Sequence, residues 1–251
     1  MRRVLFWAAL PFVLPQALIV RKTARRFAAA AGPACGAVGN GKRFRLLAIG
    51  DSIVAGVGAT TLTNALVGQV ASALAKPLNA RVEWHALGII GADLRQIVQD
   101  LAIELPDEPV DAIFVSAGVN DVTGLTRTRA WRLHLAALLQ ALHRHSPSAP
   151  IVVLGLPPMQ RFPLLPQPLR SVIGLRAAIL DQVALREIAL HPNAVHLPLK
   201  FEARPQDFSD DGYHPSESSY SVLGLWVAGA ILARLEKLEV GNNLRPKLHA
   251  L

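Results

Sequence analysis

The chain has 251 residues, 51% of them hydrophobic and 18% charged, which suits one α/β domain with a short appendage and excludes wholesale disorder. Its formal charge of +8 first suggests a polyanion partner, but nine of the 26 Lys and Arg residues lie within residues 1–45, which hold no acid. The other 17 face 18 acidic residues, so the body is near neutral and no nucleic-acid partner is expected, since such a partner wants basic residues spread over a folded face.

The first element is Val4 to Val20, seventeen uncharged residues that include Pro11 and Pro15, with Arg2 and Arg3 before them and RKTARR after them. An export signal would offer a small-x-small cleavage site, and here the flank is densely basic. A spanning helix needs about twenty apolar residues, so the run is short. An apolar wedge beside a basic cluster also suits the plane of a membrane interface that carries anionic lipid. The reading taken is membrane association through residues 4–26. The excess of positive charge after the run favours the cytoplasmic face for the body. A helix packed on the domain's own surface and a cleaved segment of an exported or periplasmic protein are the second and third readings.

Residues 27–43 read as a Gly/Ala-rich linker, which makes 1–43 an appendage, 44–240 the folded domain and 241–251 a tail. Cys35 is the only cysteine. Gly32-Pro33-Ala34 before it does not resemble a lipidation signal, so it reads as a passive linker thiol.

From Phe44 onward, apolar runs alternate with helical patterns. Strands are expected at 45–50, 80–87, 111–118, 150–156 and 194–199, each short, apolar and bounded by Gly, Pro or acid, as in strands buried on both faces. Helices are expected at 61–76, 92–105, 128–145, about 170–190, and 218–238. This alternation predicts a three-layer α/β/α sandwich around a five-stranded parallel sheet in flavodoxin-like order, with ligands beyond the carboxyl ends of the strands.

The polar motifs fall at those ends. Gly50-Asp51-Ser52 closes the first strand, Gly88-Ile89-Ile90-Gly91 follows the second, Gly118-Val119-Asn120-Asp121 the third, and Asp211-Gly212-Tyr213-His214 precedes the final helix. Each alone is ordinary turn or cap chemistry; together, in this order, they describe an active site. A serine hydroxyl needs a base within hydrogen-bond reach, and His214 can take and return its proton. Asp211, three residues earlier, can orient the imidazole. The Ser52 and Gly91 backbone N–H groups and the Asn120 side-chain amide are candidate oxyanion donors, with glycine at 91 allowing close backbone approach. No His/Cys cluster suggests a metal. GDSIVAGVG lacks the lysine of a phosphate loop and the spacing of a dinucleotide fingerprint, so no cofactor is expected.

GDSIVAGVGA, GIIGAD, GVND and DGYHPS resemble the four sequence blocks of the SGNH/GDSL hydrolases, from about Phe44 to Leu238. The resemblance implies Ser52 as nucleophile, Gly91 and Asn120 as oxyanion donors, and Asp211 with His214 completing a triad. Two positions depart from the pattern: Ile53 replaces a leucine, and Ala86 stands where many members carry asparagine. The apolar stretch 155–174 (GLPPMQRFPLLPQPLRSVIG) is too greasy for a solvated loop and is expected to wall an acyl pocket near Ser52. The expected partner is therefore a small-molecule ester, lipid-like or medium-chain, with few aromatics near the motifs to receive a sugar. Oligomeric state is left open.

Overall fold

A computed structural model describes residues 2–25, 27–200 and 202–248. Six strands form one sheet: β1 (Cys35–Val38), β2 (Lys42–Gly50), β3 (Ala80–Gly88), β4 (Ala112–Ser116), β5 (Ile151–Leu154) and β6 (Ala194–Leu197). Their spatial order is β1-β3-β2-β4-β5-β6. All pairs are parallel except β1 with β3. The five expected strands are therefore present, in flavodoxin-like order. The sheet is six-stranded and mixed rather than five-stranded and parallel, because residues of the presumed linker add an antiparallel edge. That edge strand pairs Cys35 with His85 and Val38 with Val82 and leaves Cys35 exposed.

The central strands are apolar throughout because both faces are covered. Leu47 and Ile49 of β2, Ile113 and Val115 of β4, and Ile151 and Val153 of β5 enter one core. Leu46, Ala48, Ala112, Phe114, Val152 and Leu154 enter the other. Period-2 alternation sends neighbouring side chains to opposite faces, so each strand feeds both cores. The first core is covered by α3 (Leu94–Glu104), the short α4 (Val119–Thr123), α5 (Thr128–His145) and α6 (Leu169–Ile188), the second by α2 (Leu66–Ala75) and α7 (Glu217–Leu248). Residues 241–248 of the presumed tail continue α7, and 249–251 lie outside the described residues.

The N-terminal apolar run forms α1 (Arg2–Thr23), which continues through Pro11 and Pro15. Phe6 and Val13 are fully buried in the first core. Gln16 ties the helix to the turn before α6, donating from Nε2 to Gln167 O at 2.9 Å and accepting Leu169 N–H at 3.1 Å. The other face keeps Val4, Leu5, Phe12, Leu18 and Ile19 exposed. Both α1 and the Glu217–Leu238 part of α7 have the length and hydropathy to cross a membrane. An α1 of this kind has the properties of an anchor or of a signal sequence, and one of its faces is seated on the body.

Beneath α1 lies Arg176 of α6, 1% exposed. Its guanidinium carbon sits 5.1 Å from the Phe6 ring centroid and 5.8 Å from that of Trp7, and it donates to Thr126 O. Burial and nearby Arg3 depress its pKa.

Candidate active site

Register brings the motif-bearing strand ends together: Gly50 pairs with Gly88 on one side and with Ser116 on the other. A Cβ on Gly50 would collide with Ser116 O, so glycine is needed where the chain turns out of β2. Asp51 N–H then donates to Ser116 O at 3.1 Å, and a tight turn through residues 51–58 lifts Ser52 from the sheet edge. The turn is braced from α7, where the buried Tyr220 hydroxyl donates to Val57 O at 2.6 Å.

Opposite Ser52 stands His214. Its Nε2 is 2.9 Å from Ser52 Oγ, and its Nδ1 is 2.6 Å from Asp211 Oδ2. A carboxylate accepts only, so Nδ1 carries the proton and Nε2 is free to accept from the serine hydroxyl. Asp211 Oδ1 also accepts from Ser209 Oγ, Tyr213 N–H and His214 N–H at 2.8–2.9 Å. Burial by itself would raise the Asp211 carboxyl; the bonds from His214 and from the two backbone N–H groups outweigh it and hold the pKa down to about 2. Asp211 is thus a fixed anion beneath the imidazole.

The other two motifs build a second structure beside this chain of hydrogen bonds. Asn120 donates one Nδ2 proton to Ala92 O at 2.9 Å, and Asp121 Oδ2 accepts Leu94 N–H at 2.9 Å. The Gly118–Asp121 turn therefore grips the Gly91 turn at two points. Among the described residues, the Ser52 and Gly91 backbone N–H groups donate to no protein acceptor, and Asn120 retains a second amide proton. Neither Gly91 nor Asn120 hydrogen-bonds Ser52 or lines the cavity described below. Gly91 adopts φ +79° with open space where a Cβ would stand, so its backbone conformation, rather than crowding by the protein, requires glycine.

A cavity of about 390 Å³ opens beside Ser52 and His214. Gly155, Leu156, Pro157 and Phe162 contribute walls from the expected apolar stretch, with Val222, Leu223 and Trp226 of α7 facing them. Aromatic residues from two loops meet there: Phe162 packs edge-on against Phe208 at 5.1 Å and Tyr213 at 5.3 Å, and Tyr213 against His214 at 5.4 Å. The scarcity of aromatics within the motifs thus does not describe the assembled pocket.

Further polar groups surround the site, and the sequence motifs assign them no role. Asp51 and Asp121 are buried, and burial pushes each carboxyl up to about 6 despite hydrogen bonds from Ile53 N–H and Leu94 N–H respectively. Ser209, two residues before Asp211, was detectable only as a hydroxyl in a turn. His196 and Asp181 also pair at 2.8 Å, and Asp181 Oδ1 accepts Leu156 N–H at 2.9 Å, anchoring the cavity wall.

A family model described as GDSL-like lipase/acylhydrolase matches residues 48–222. The chain belongs to this family. Family membership makes the GDSL hydrolase an ester hydrolase with a small-molecule ester as substrate. Solved structures with the same fold include a lipase/acylhydrolase from Enterococcus faecalis, at TM-score 0.60 and 21% identity over 76% of this chain and 96% of that one. Others are a lipase from a goat rumen metagenome (0.59, 16%, 74% and 97%) and a family 3 carbohydrate esterase from Clostridium thermocellum (0.61, 18%, 78% and 99%). At these identities the likeness is one of fold. No curated protein sequence matches the chain.

Proposed function

We propose that the GDSL hydrolase is a serine esterase in which Ser52 attacks a carboxylic ester, His214 moves the protons and Asp211 orients and stabilises the imidazolium. The observation that carries this reading is the continuous Ser52–His214–Asp211 hydrogen-bonded chain with the Nδ1 proton committed to the carboxylate. Ser52 Oγ adds to the ester carbonyl as its proton passes to His214 Nε2. The oxyanion is received by the Ser52 and Gly91 N–H groups and the free proton of Asn120. Collapse expels the alcohol, protonated by His214, and leaves an acyl-enzyme. Water, deprotonated by His214, then releases the acid. Transfer to another alcohol would use the same residues and differ only in product.

The apolar cavity walls favour a lipid-like or medium-chain acyl ester, lysophospholipids among them. A second reading, removal of an acyl group from a sugar, is favoured by Trp226, which is 37% exposed and lines the cavity. We further propose that α1 associates with a membrane through its outer apolar face, with the body on the cytoplasmic side.

The test is a fluorophosphonate label on the full chain in neutral detergent, followed by a panel of p-nitrophenyl esters graded by chain length. Labelling of the wild type and not of Ser52→Ala, with turnover greatest on medium chains, is the expected result. Unlabelled protein with no turnover on any ester would refute the mechanism. A sharp preference for acetate, extended to acetylated sugars, would transfer the substrate assignment to the second reading.

A further inference from the structure

A second cavity, of about 410 Å³, lies away from Ser52, where α1, α5 and α6 meet. Arg3 of α1, Arg129 and Arg132 of α5, and Arg186 of α6 line it, together with a single acid, Glu187. Glu187 is already engaged: it is buried, pairs with Arg132 at 3.2 Å, and lies 3.7 Å from His191 Nε2. Among the described residues, Arg3, Arg129 and Arg186 form no side-chain ion pair. Three solvent-exposed arginines without an acidic partner thus line one open concavity, and Arg176 adds a buried cation close to Arg3.

Like charges held together on three helices repel one another, and an anion in their midst offsets that repulsion. Guanidinium groups match phosphate oxygens through paired, planar N–H donors. The apolar outer face of α1 begins at the same end of the helix: Val4 is 73% exposed and Leu5 59%. A ligand lodged here has its charge among arginines and its remainder next to greasy side chains.

We infer that the cavity is a binding site for the phosphate of an anionic lipid headgroup. The inference rests on the membrane association of α1 proposed above and supplies its lipid preference. A choline headgroup brings its own cation towards the arginines and is disfavoured; a headgroup with net negative charge is not. Occupation at the Arg3 end, with Val4, Leu5 and Phe12 in the acyl region, lays α1 in the plane of the interface rather than across the bilayer.

The experiment measures binding of the full chain to vesicles of phosphatidylcholine alone and of phosphatidylcholine with phosphatidylglycerol. Three proteins are compared: wild type, the double variant Arg129→Gln/Arg186→Gln, and the control Arg21→Gln/Lys22→Gln, which removes equal charge at the far end of α1. Arg132 is kept so that Glu187 retains its partner. Wild type should prefer the phosphatidylglycerol vesicles. The cavity variant should lose affinity for them about tenfold beyond the loss in the control, since paired phosphate contacts exceed diffuse attraction. Its binding to neutral vesicles and its turnover of a soluble short-chain ester should stay at wild-type level.

Equal losses in the two variants would reduce the effect to diffuse charge and overturn the site. Failure to bind any vesicle would overturn membrane association and the headgroup assignment together. Inorganic phosphate supplies the last arm. If it raises the thermal midpoint of wild type but not of the cavity variant, while vesicles fail to discriminate, the ligand is a free anion and the lipid assignment is wrong.

Discussion

Phe6 tests whether α1 is part of the folded body. The side chain is fully buried, and the Arg176 guanidinium lies 5.1 Å from its ring. Truncating a buried phenylalanine to alanine costs about 3–5 kcal/mol, and the loss of a desolvated cation–π contact lies within about 2 kcal/mol. The helix itself fully buries only Phe6 and Val13, each worth roughly 1.5–3 kcal/mol. Ala9, Leu10, Ala17 and Val20 pack against the same core less completely, so removing Phe6 takes a large share of the docking energy of α1 without abolishing it. The expected result is a fall of about 3 kcal/mol in the unfolding free energy of Phe6→Ala, measured by urea titration of the full chain in neutral detergent. Phe12→Ala, at a site 83% exposed, should stay within about 0.5 kcal/mol of wild type. Limited trypsin digestion at Arg21 and Lys22 should accelerate in the first variant alone. Equal stability and equal digestion of the two variants would refute the packing argument and make α1 a mere tether.

Three further outcomes follow from the site. Asn120→Ala should cost about 2.7–4 kcal/mol of transition-state stabilisation, read as kcat/KM on a p-nitrophenyl ester with the circular dichroism spectrum unchanged; undiminished turnover would remove Asn120 from the oxyanion set. Asp211 titrates at about 2 instead of its ordinary 3.8. Its roughly 2 kcal/mol of stabilisation is present above pH 4 and lost as pH falls through 2, so the stability difference between wild type and Asp211→Asn should narrow on acidification, and a constant difference would contradict the assignment. Asp121 has the opposite sign. Its folded pKa of about 6 lies above the ordinary 3.8, so the protonated carboxyl contributes stability below pH 4 that disappears as pH rises through 6. Asp121→Asn should therefore give a flatter stability profile between pH 4 and pH 7, as followed by thermal melts.

The residues that meet at the candidate site could be read from the chain because each sits in a short motif beside a strand end or before the last helix, and a strand needs only a local apolar run to be recognised. Ser52, Gly91, Asn120, Asp211 and His214 therefore emerged with the five strands. β1 did not: Cys35–Val38 is a run of small residues that becomes a strand only by pairing with the edge of β3. The aromatic cluster was hidden for a related reason: Phe162 lies in the apolar stretch and Phe208 with Tyr213 in the loop of the DGYHPS motif, and these two loops meet only in space. Arg176 gave no signal at all. An arginine in a helix reads as solvated, and here it is buried by rings from residues 6 and 7.

The bond between Gln16 and Gln167 spans 151 positions of the chain, and that separation sets an order of events during synthesis. α1 leaves the ribosome well before α6, its seat, is made. Throughout that interval an apolar helix with basic ends has no protein partner, and long-range contacts of this kind form late. The docking seen in the finished fold is then among the last contacts to close, and until it does the Phe6 and Val13 face of α1 stays uncovered.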